Sequence, residues 1–314
     1  MIRWYAAHAV EFLGDGESES LELLRIRLLA ERHPEVAAVL MRRIATFRDS
    51  FYERVDAMLT AVLDVEHWRT VLQAKTGEGH DDRVDALGDL ALYLALRWQT
   101  PTATALARSW FGSPSDTDAA MQVVRLLQPW LRLGDDWAQE RTRAFDLLKL
   151  GAAALEQLRA TDQTARYVHR CADVLVSEIY FASGAHTNGD EPARDPDPGF
   201  AREAFAALAL LIGFKSPSTV HHAVGTLAHL APVEPARALH LVQDYVKSGD
   251  AYTYDPMASD VVIELIKRYL AEFRDHLTSN ADLLTAIHSL LDAFVRVGWP
   301  DGVALTYRLG DAFR

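Results

Sequence analysis

Twelve histidines, a single cysteine and the adjacent acids Asp135 and Asp136 are the side chains in this sequence that invite a search for metal or proton chemistry. Three histidines, His221, His222 and His229, fall on one predicted helix. His222 and His229 stand seven residues apart, two turns along one helical face. That is too far for one metal ion without a ligand between them, and Gly225 and Thr226 supply none of the usual zinc type. His221 lies on another face, so the three read as solvated or partner-facing histidines beside an apolar stripe. Asp135 and Asp136 follow Gly134 and are expected to cap and open the next helix. Cys171, in VHRCADVL, has Val168, Ala172 and Val174 as helical neighbours and is expected to be buried. A lone cysteine excludes an intramolecular disulfide framework and any multi-cysteine zinc site. The sequence carries no GxxxxGK[ST] loop, HExxH, CxxC, GxSxG elbow or strand-linked GxGxxG. No catalytic residue and no cofactor is therefore expected.

Two stretches offer binding chemistry instead. Residues 25–54 hold seven arginines (Arg25, Arg27, Arg32, Arg42, Arg43, Arg48, Arg54) against four acids (Glu31, Glu35, Asp49, Glu53). Arginine presents a planar fork that matches phosphate and carboxylate. If Arg42 and Arg43 line one concave side together with Arg25 or Arg32 of the neighbouring helix, they form a surface for nucleic acid or an acidic partner; otherwise they coat a solvated helix face. In Tyr252-Thr253-Tyr254, two tyrosines in a short connection offer aromatic anchors for a partner, or pack on the next helix pair.

These residues must be positioned by helices. The stretch FKSPSTVHHAVGTLAHLAPVEPARALHLVQDYVKSG, residues 214–249, reads as one helical hairpin. Ser216 caps a helix opening at Pro217, with Val220, Ala223, Val224, Leu227, Leu230 and Ala231 on one face. A second helix opens at Pro235 and stops where Gly249 can turn left-handed. Neither stripe can be buried without neighbours of the same kind. His33-Pro34, Thr100-Pro101, Asp255-Pro256 and Trp299-Pro300 repeat the device of proline in a first turn, where no backbone donor is lost. Thr100 is expected to cap its helix, and single helices are expected from residue 118 through Leu133 and from Pro256 to Leu277. No run alternates as a strand would. The expected fold is all-α, a helical block over residues 1–183 and another over 200–314 in one continuous array. Between them, residues 184–199 (GAHTNGDEPARDPDPG) read as an exposed acidic loop: Asp190, Glu191, Asp195 and Asp197 repel one another, while Pro192, Pro196 and Pro198 deny backbone donors. Residues 2–13 are helical in pattern with no cap before them, which fits either a short native start or a piece of a longer protein.

The formal charge of −12 opposes nucleic acid and anionic membrane at long range. The longest apolar run, residues 205–214, is half of the ~20 residues that span a bilayer. Nothing near the N-terminus reads as a secretory signal peptide. With one cysteine, a cytoplasmic location is expected.

Helix pairs of roughly 35 to 45 residues resemble HEAT-type repeats in length, without a crisp consensus. That resemblance implies an α-solenoid of antiparallel pairs. More narrowly, FKSPSTVHHAVGTLAHLAPVEPARAL, DPMASDVVIELIKRYLAEFRD, VGWP and YRLGDAFR resemble the C-terminal helical tails of large bacterial ATP-binding proteins of defence gene sets, over residues 214–314. What this implies is a scaffold or sensing segment. His80-Asp81 resembles the central dipeptide of the all-α, metal-dependent HD phosphohydrolases, which implies a metal site with His67 and Asp89 as the nearest companions. The pair departs from that family by lying in a glycine-containing loop, where Asp81 or Asp82 has a capping role. The leading expectation is a non-enzymatic scaffold that binds a protein partner or another copy of itself. The alternatives are a nucleic-acid module using residues 25–54 and a phosphohydrolase at His80-Asp81.

Overall fold

Among the described residues proline opens seven helices, and at two of these openings the residue before the proline, Asp197 or Ser216, caps the first turn with its side chain. The computed structural model describes residues 17–74, 80–114, 117–160, 165–186, 195–247 and 256–312, and among these every regular element is helical. Two compact units emerge: Met1–Leu127 with Asp146–Leu155, and Gln128–Phe145 with Glu156–Arg314.

The first unit contains α1 (Glu17–Ala30), α2 (Pro34–Ala45), α3 (Tyr52–Asp64), α4 (Glu66–Leu72), α5 (Asp82–Tyr93), α6 (Pro101–Gly112) and α7 (Asp118–Arg125). Helix α5 continues as a π-helical turn, Leu94–Trp98, which ends at Gln99 in the left-handed region, φ 53°. Helices α1, α3 and α6 pack in succession, α2, α5 and α7 do likewise, and α1 with α2 and α5 with α6 join the two rows. Trp68, Leu87, Phe111 and Val123 fill the space between.

The second unit contains α8 (Gln128–Leu131), a 3-10 turn at Asp135–Trp137, α10 (Ala165–Ser183), α11 (Pro198–Ala209), α12 (Pro217–Leu230), α13 (Pro235–Lys247), α14 (Pro256–Glu272), α15 (Arg274–Ser279), α16 (Ala281–Arg296) and α17 (Pro300–Ala312). The long α9 (Ala138–Arg159) contributes to both units. Here the helices form two rows: α10, α12, α14 and α17 pack in succession, and α11, α13 and α16 do likewise. Two buried tyrosines tie neighbours together. Tyr245 of α13 donates to the Leu208 carbonyl of α11 at 2.8 Å, and Tyr269 of α14 to the Pro235 carbonyl of α13 at 2.6 Å. Each hydroxyl is thereby satisfied inside the core, where an unpaired one would cost about 1–3 kcal/mol.

Pro34, Pro101, Pro217, Pro235, Pro256 and Pro300 each open the helix that the sequence predicts. Ser216 caps α12 as expected, accepting from Thr219 N at 3.1 Å. Four expectations are corrected. Thr100 does not cap α6 with its side chain; the buried Asp56 of α3 takes that place, accepting from Thr102 N at 3.1 Å and Ala103 N at 2.8 Å. The helix from residue 118 stops at Arg125, because Pro129 has no N–H to offer the Arg125 carbonyl. The helix from Pro256 breaks at Phe273, whose backbone (φ −112°, ψ 27°) leaves the helical region as its ring packs 5.0 Å from that of Tyr269. Asp135 and Asp136 form the 3-10 turn rather than a cap, and α9 begins three residues later.

The 184–199 segment also ends earlier than predicted. Pro198 and Gly199 are already helical, and Asp197 caps α11 by accepting from Phe200 N at 3.0 Å. Asp197 also receives Arg141 Nη1 at 2.6 Å, and the same buried guanidinium donates to the Leu133 carbonyl and reaches Asp135. Burial opposes ionisation of Asp197, but the Phe200 amide and Arg141 outweigh it and hold the carboxyl below its ordinary value. The helical pattern of residues 2–13, the Gly249 stop, residues 187–194 of the loop, and Tyr252 and Tyr254 lie outside the described residues.

Candidate functional site

Of the four arginines singled out in the sequence, each has its own local setting. Arg25 of α1 is paired with Glu22, one turn before it, through Nε at 2.9 Å and Nη2 at 2.5 Å. Arg32 is exposed in the connection after α1, its backbone N donating to the buried Glu31, which also receives Arg27 and the His33 amide. Arg42 and Arg43 occupy the last turn of α2, where positive charge suits the carbonyl end of the helix. Arg42 is exposed and Arg43 half-buried.

Beyond α2 the charge continues onto an aromatic surface. Arg48 lies over the Tyr93 ring of α5, 3.7 Å from its centroid, and the Tyr93 hydroxyl donates to Asp49 at 2.5 Å. Tyr52 of α3 stacks on Trp98 of the π turn, centroids 4.6 Å apart and planes 6° from parallel. Arg97 and Arg54 sit over Trp98 and Phe51, at 5.5 Å and 5.7 Å. Arg48 and Arg42 both act on Asp89 of α5, whose carboxyl is nevertheless raised above its ordinary value, by burial first and then by Asp85. Burial and the Asp49 carboxylate likewise raise Tyr93, against Arg48 and Arg97. Trp98 is 37% exposed, and Arg97 over it, Arg54 over Phe51 and Arg42 at the end of α2 are exposed as well. Flat cations over flat rings, open to solvent, form a surface with both area and charge.

The His80 region has a different construction from the one its dipeptide suggests. Asp81 caps α5, accepting from Arg83 N at 2.9 Å, and its carboxylate is clasped by Arg83 Nε at 3.0 Å and Nη2 at 2.7 Å. Burial works against its ionisation, yet the Arg83 bonds and charge win and lower its pKa. His80 turns instead to the first turn of α5: Nε2 is 2.9 Å from Asp85 Oδ2 and 3.5 Å from Asp82 Oδ1. Gln122 of α7, buried, backs this cluster. Its amide nitrogen meets Asp85 Oδ1 at 2.5 Å and the Asp81 carbonyl at 2.9 Å, and its oxygen accepts from Asp81 N at 3.3 Å. Gly88 makes that approach feasible, since a Cβ there would sit 2.8 Å from Leu126 and 2.9 Å from Val123 of the α7 region. One imidazole nitrogen and two carboxylate oxygens, all within 4.8 Å of one another, match the spacing of ligands around one metal ion.

In the second unit, His221 and His222 of α12 are half-buried rather than solvated. Tyr180 of α10 lies 4.8 Å from the His222 ring and 6.3 Å from His221, and both Tyr180 and Phe181 face His186, at 6.0 Å and 5.3 Å. Gly225 lets α10 come this close: a Cβ there would be 2.9 Å from Tyr180 Cε2. Burial is the main cause that lowers His222, with His221 and His186 adding to it and Asp173 opposing. Burial also lowers His229, with Arg268 adding and the Ser183 backbone and Asp195 opposing. Cys171 is buried as expected, and burial pushes its thiol up to about 12, which leaves it unreactive.

No family model, curated protein or solved structure matches this chain. The site is therefore argued from its own geometry. Sequence reasoning missed Tyr52, Tyr93, Arg97 and Trp98, because their partners are brought together by the packing of α3 on the π turn and of α2 on α5. It also overlooked the H-x-D-x-x-D spacing of His80, Asp82 and Asp85, which was open to reading once Asp81 was assigned to the cap.

Proposed function

We propose that this chain is a non-enzymatic interaction module of the α-solenoid type, whose HEAT-like helix pairs hold a docking face for an acidic protein partner. The observation that carries the reading is the Tyr52–Trp98 stack flanked by Arg48, Arg54 and Arg97. Tyrosine, tryptophan and arginine are the residues that most often dominate binding energy at protein interfaces. The alternating rows of helices are in keeping with a repeat scaffold. The resemblance of residues 214–314 to helical tails of defence-type ATP-binding proteins suggests a bacterial defence assembly as the setting, and with it a cytoplasmic location. No described helix is long and apolar enough to cross a membrane.

The test is affinity capture from native lysate with the wild type and a Trp98→Ala/Arg48→Ala double variant in parallel, their folding compared by circular dichroism. A partner retained by the wild type and lost by an equally folded variant supports the reading. Equal capture by both, or a strictly monomeric protein without partners, sinks it. A nucleic-acid reading draws on the same arginines and rings, since bases stack on aromatics. It requires binding of single-stranded DNA or RNA that weakens steeply with salt and falls in Arg42→Ala with Arg43→Ala.

A further inference from the structure

We infer that His80, Asp82 and Asp85 form a binding site for a first-row divalent transition ion at the entry to α5, independent of the docking face. The three ligand atoms already lie within 4.8 Å of one another, without Asp81. Arg83 neutralises Asp81, so the two carboxylates facing His80 form a separate group on α5. A dication brought to His80 meets two carboxylates within reach.

The donor set selects the class of ion. One imidazole nitrogen with two carboxylates suits zinc, cobalt, nickel or manganese better than magnesium or calcium, which favour all-oxygen sites. His80 is 62% exposed and Asp82 48%, so water can complete the coordination and the ion can enter from solvent. Asp85, only 22% exposed, is the fixed member of the set, held by the buried amide of Gln122. Gln122 is thus a positioning residue, linking the ligand on α5 to α7. The ion would fasten the connection that carries His80 to the first turn of α5.

Cobalt(II) serves as the probe, titrated into purified full-length protein without a histidine tag and followed by visible absorbance, with zinc as competitor. Saturable binding at one equivalent, displaced by zinc and weakened about tenfold or more in His80→Ala and in Asp85→Asn, is the expected result. Gln122→Ala should weaken it on the order of tenfold, as loss of an outer-shell partner does. His186→Ala, in the other unit, should leave the affinity unchanged. Because His80 is exposed, its alanine variant tests the site even if Asp85→Asn fails to fold. No saturable binding by the wild type, or an affinity unaltered by His80→Ala, overturns the inference.

Discussion

The two units each bring basic side chains against aromatic rings, with opposite consequences. In the first, Arg48, Arg54 and Arg97 lie over Tyr93, Phe51 and Trp98 at the surface, and arginine keeps its charge in any setting. In the second, His222 and Tyr180 meet between α10 and α12, where burial drives the imidazole towards its neutral form. The former is a charged surface on which the Trp98 ring is partly open to solvent. The latter is a helix joint that depends on neutrality. Similar ring contacts therefore stand at the surface in one unit and inside a helix joint in the other, and solvent access separates them.

The largest test of that contrast is Gly225→Ala. Its Cβ would press on the Tyr180 ring, and overpacking of this kind costs about 1–3 kcal/mol, read as a lower denaturation midpoint. Acidification should produce a smaller loss. Histidines whose folded pKa is depressed bind fewer protons in the folded state, so stability is full above the ordinary value of about 6.5 and is lost as pH falls through the depressed one. A His222→Gln/His229→Gln variant should show a shallower decline between pH 7.5 and 5.5 in denaturant titrations; an equal slope would remove the histidines from the explanation. Trp98→Ala should cost only about 1 kcal/mol of stability, the scale of one aromatic pair, since its ring is partly in water. Gly112→Ala should be smallest, neutral or stabilising by about 0.5 kcal/mol, because no atom outside its immediate chain neighbourhood lies within 4 Å of the new Cβ.

Helix openings were the most legible part of the sequence, because proline and a capping side chain act within one turn. Pro217 with Ser216 shows this, as does Asp81 at α5. The cap of α6 was illegible for the complementary reason. Asp56 reaches Ala103 from 47 positions away, and nothing local to Thr100 announces that its own hydroxyl is displaced. Breaks fell between these cases: Pro129 could have been read as ending α7, whereas the turn at Phe273 depends on where its ring packs. Of the candidate site, the arginines were legible as a charge excess and the rings were not. Tyr93 is placed beneath Arg48 by the packing of α2 against α5. The histidines of α12 had the right spacing and the wrong surroundings, because periodicity gives the face of a helix but not what covers it.

The π turn at Leu94–Trp98 sets the phase of this surface. A π turn holds more residues than an α turn of the same span, as though one residue had been inserted into α5. Deleting Leu96 would remove that extra residue and let the backbone close as an ordinary helix with the following side chain near its old place around the axis, whereas deleting a residue from the regular part of α5 would turn it by about 100°. The second deletion would swing Trp98 away from Tyr52, while the first would keep the two rings stacked.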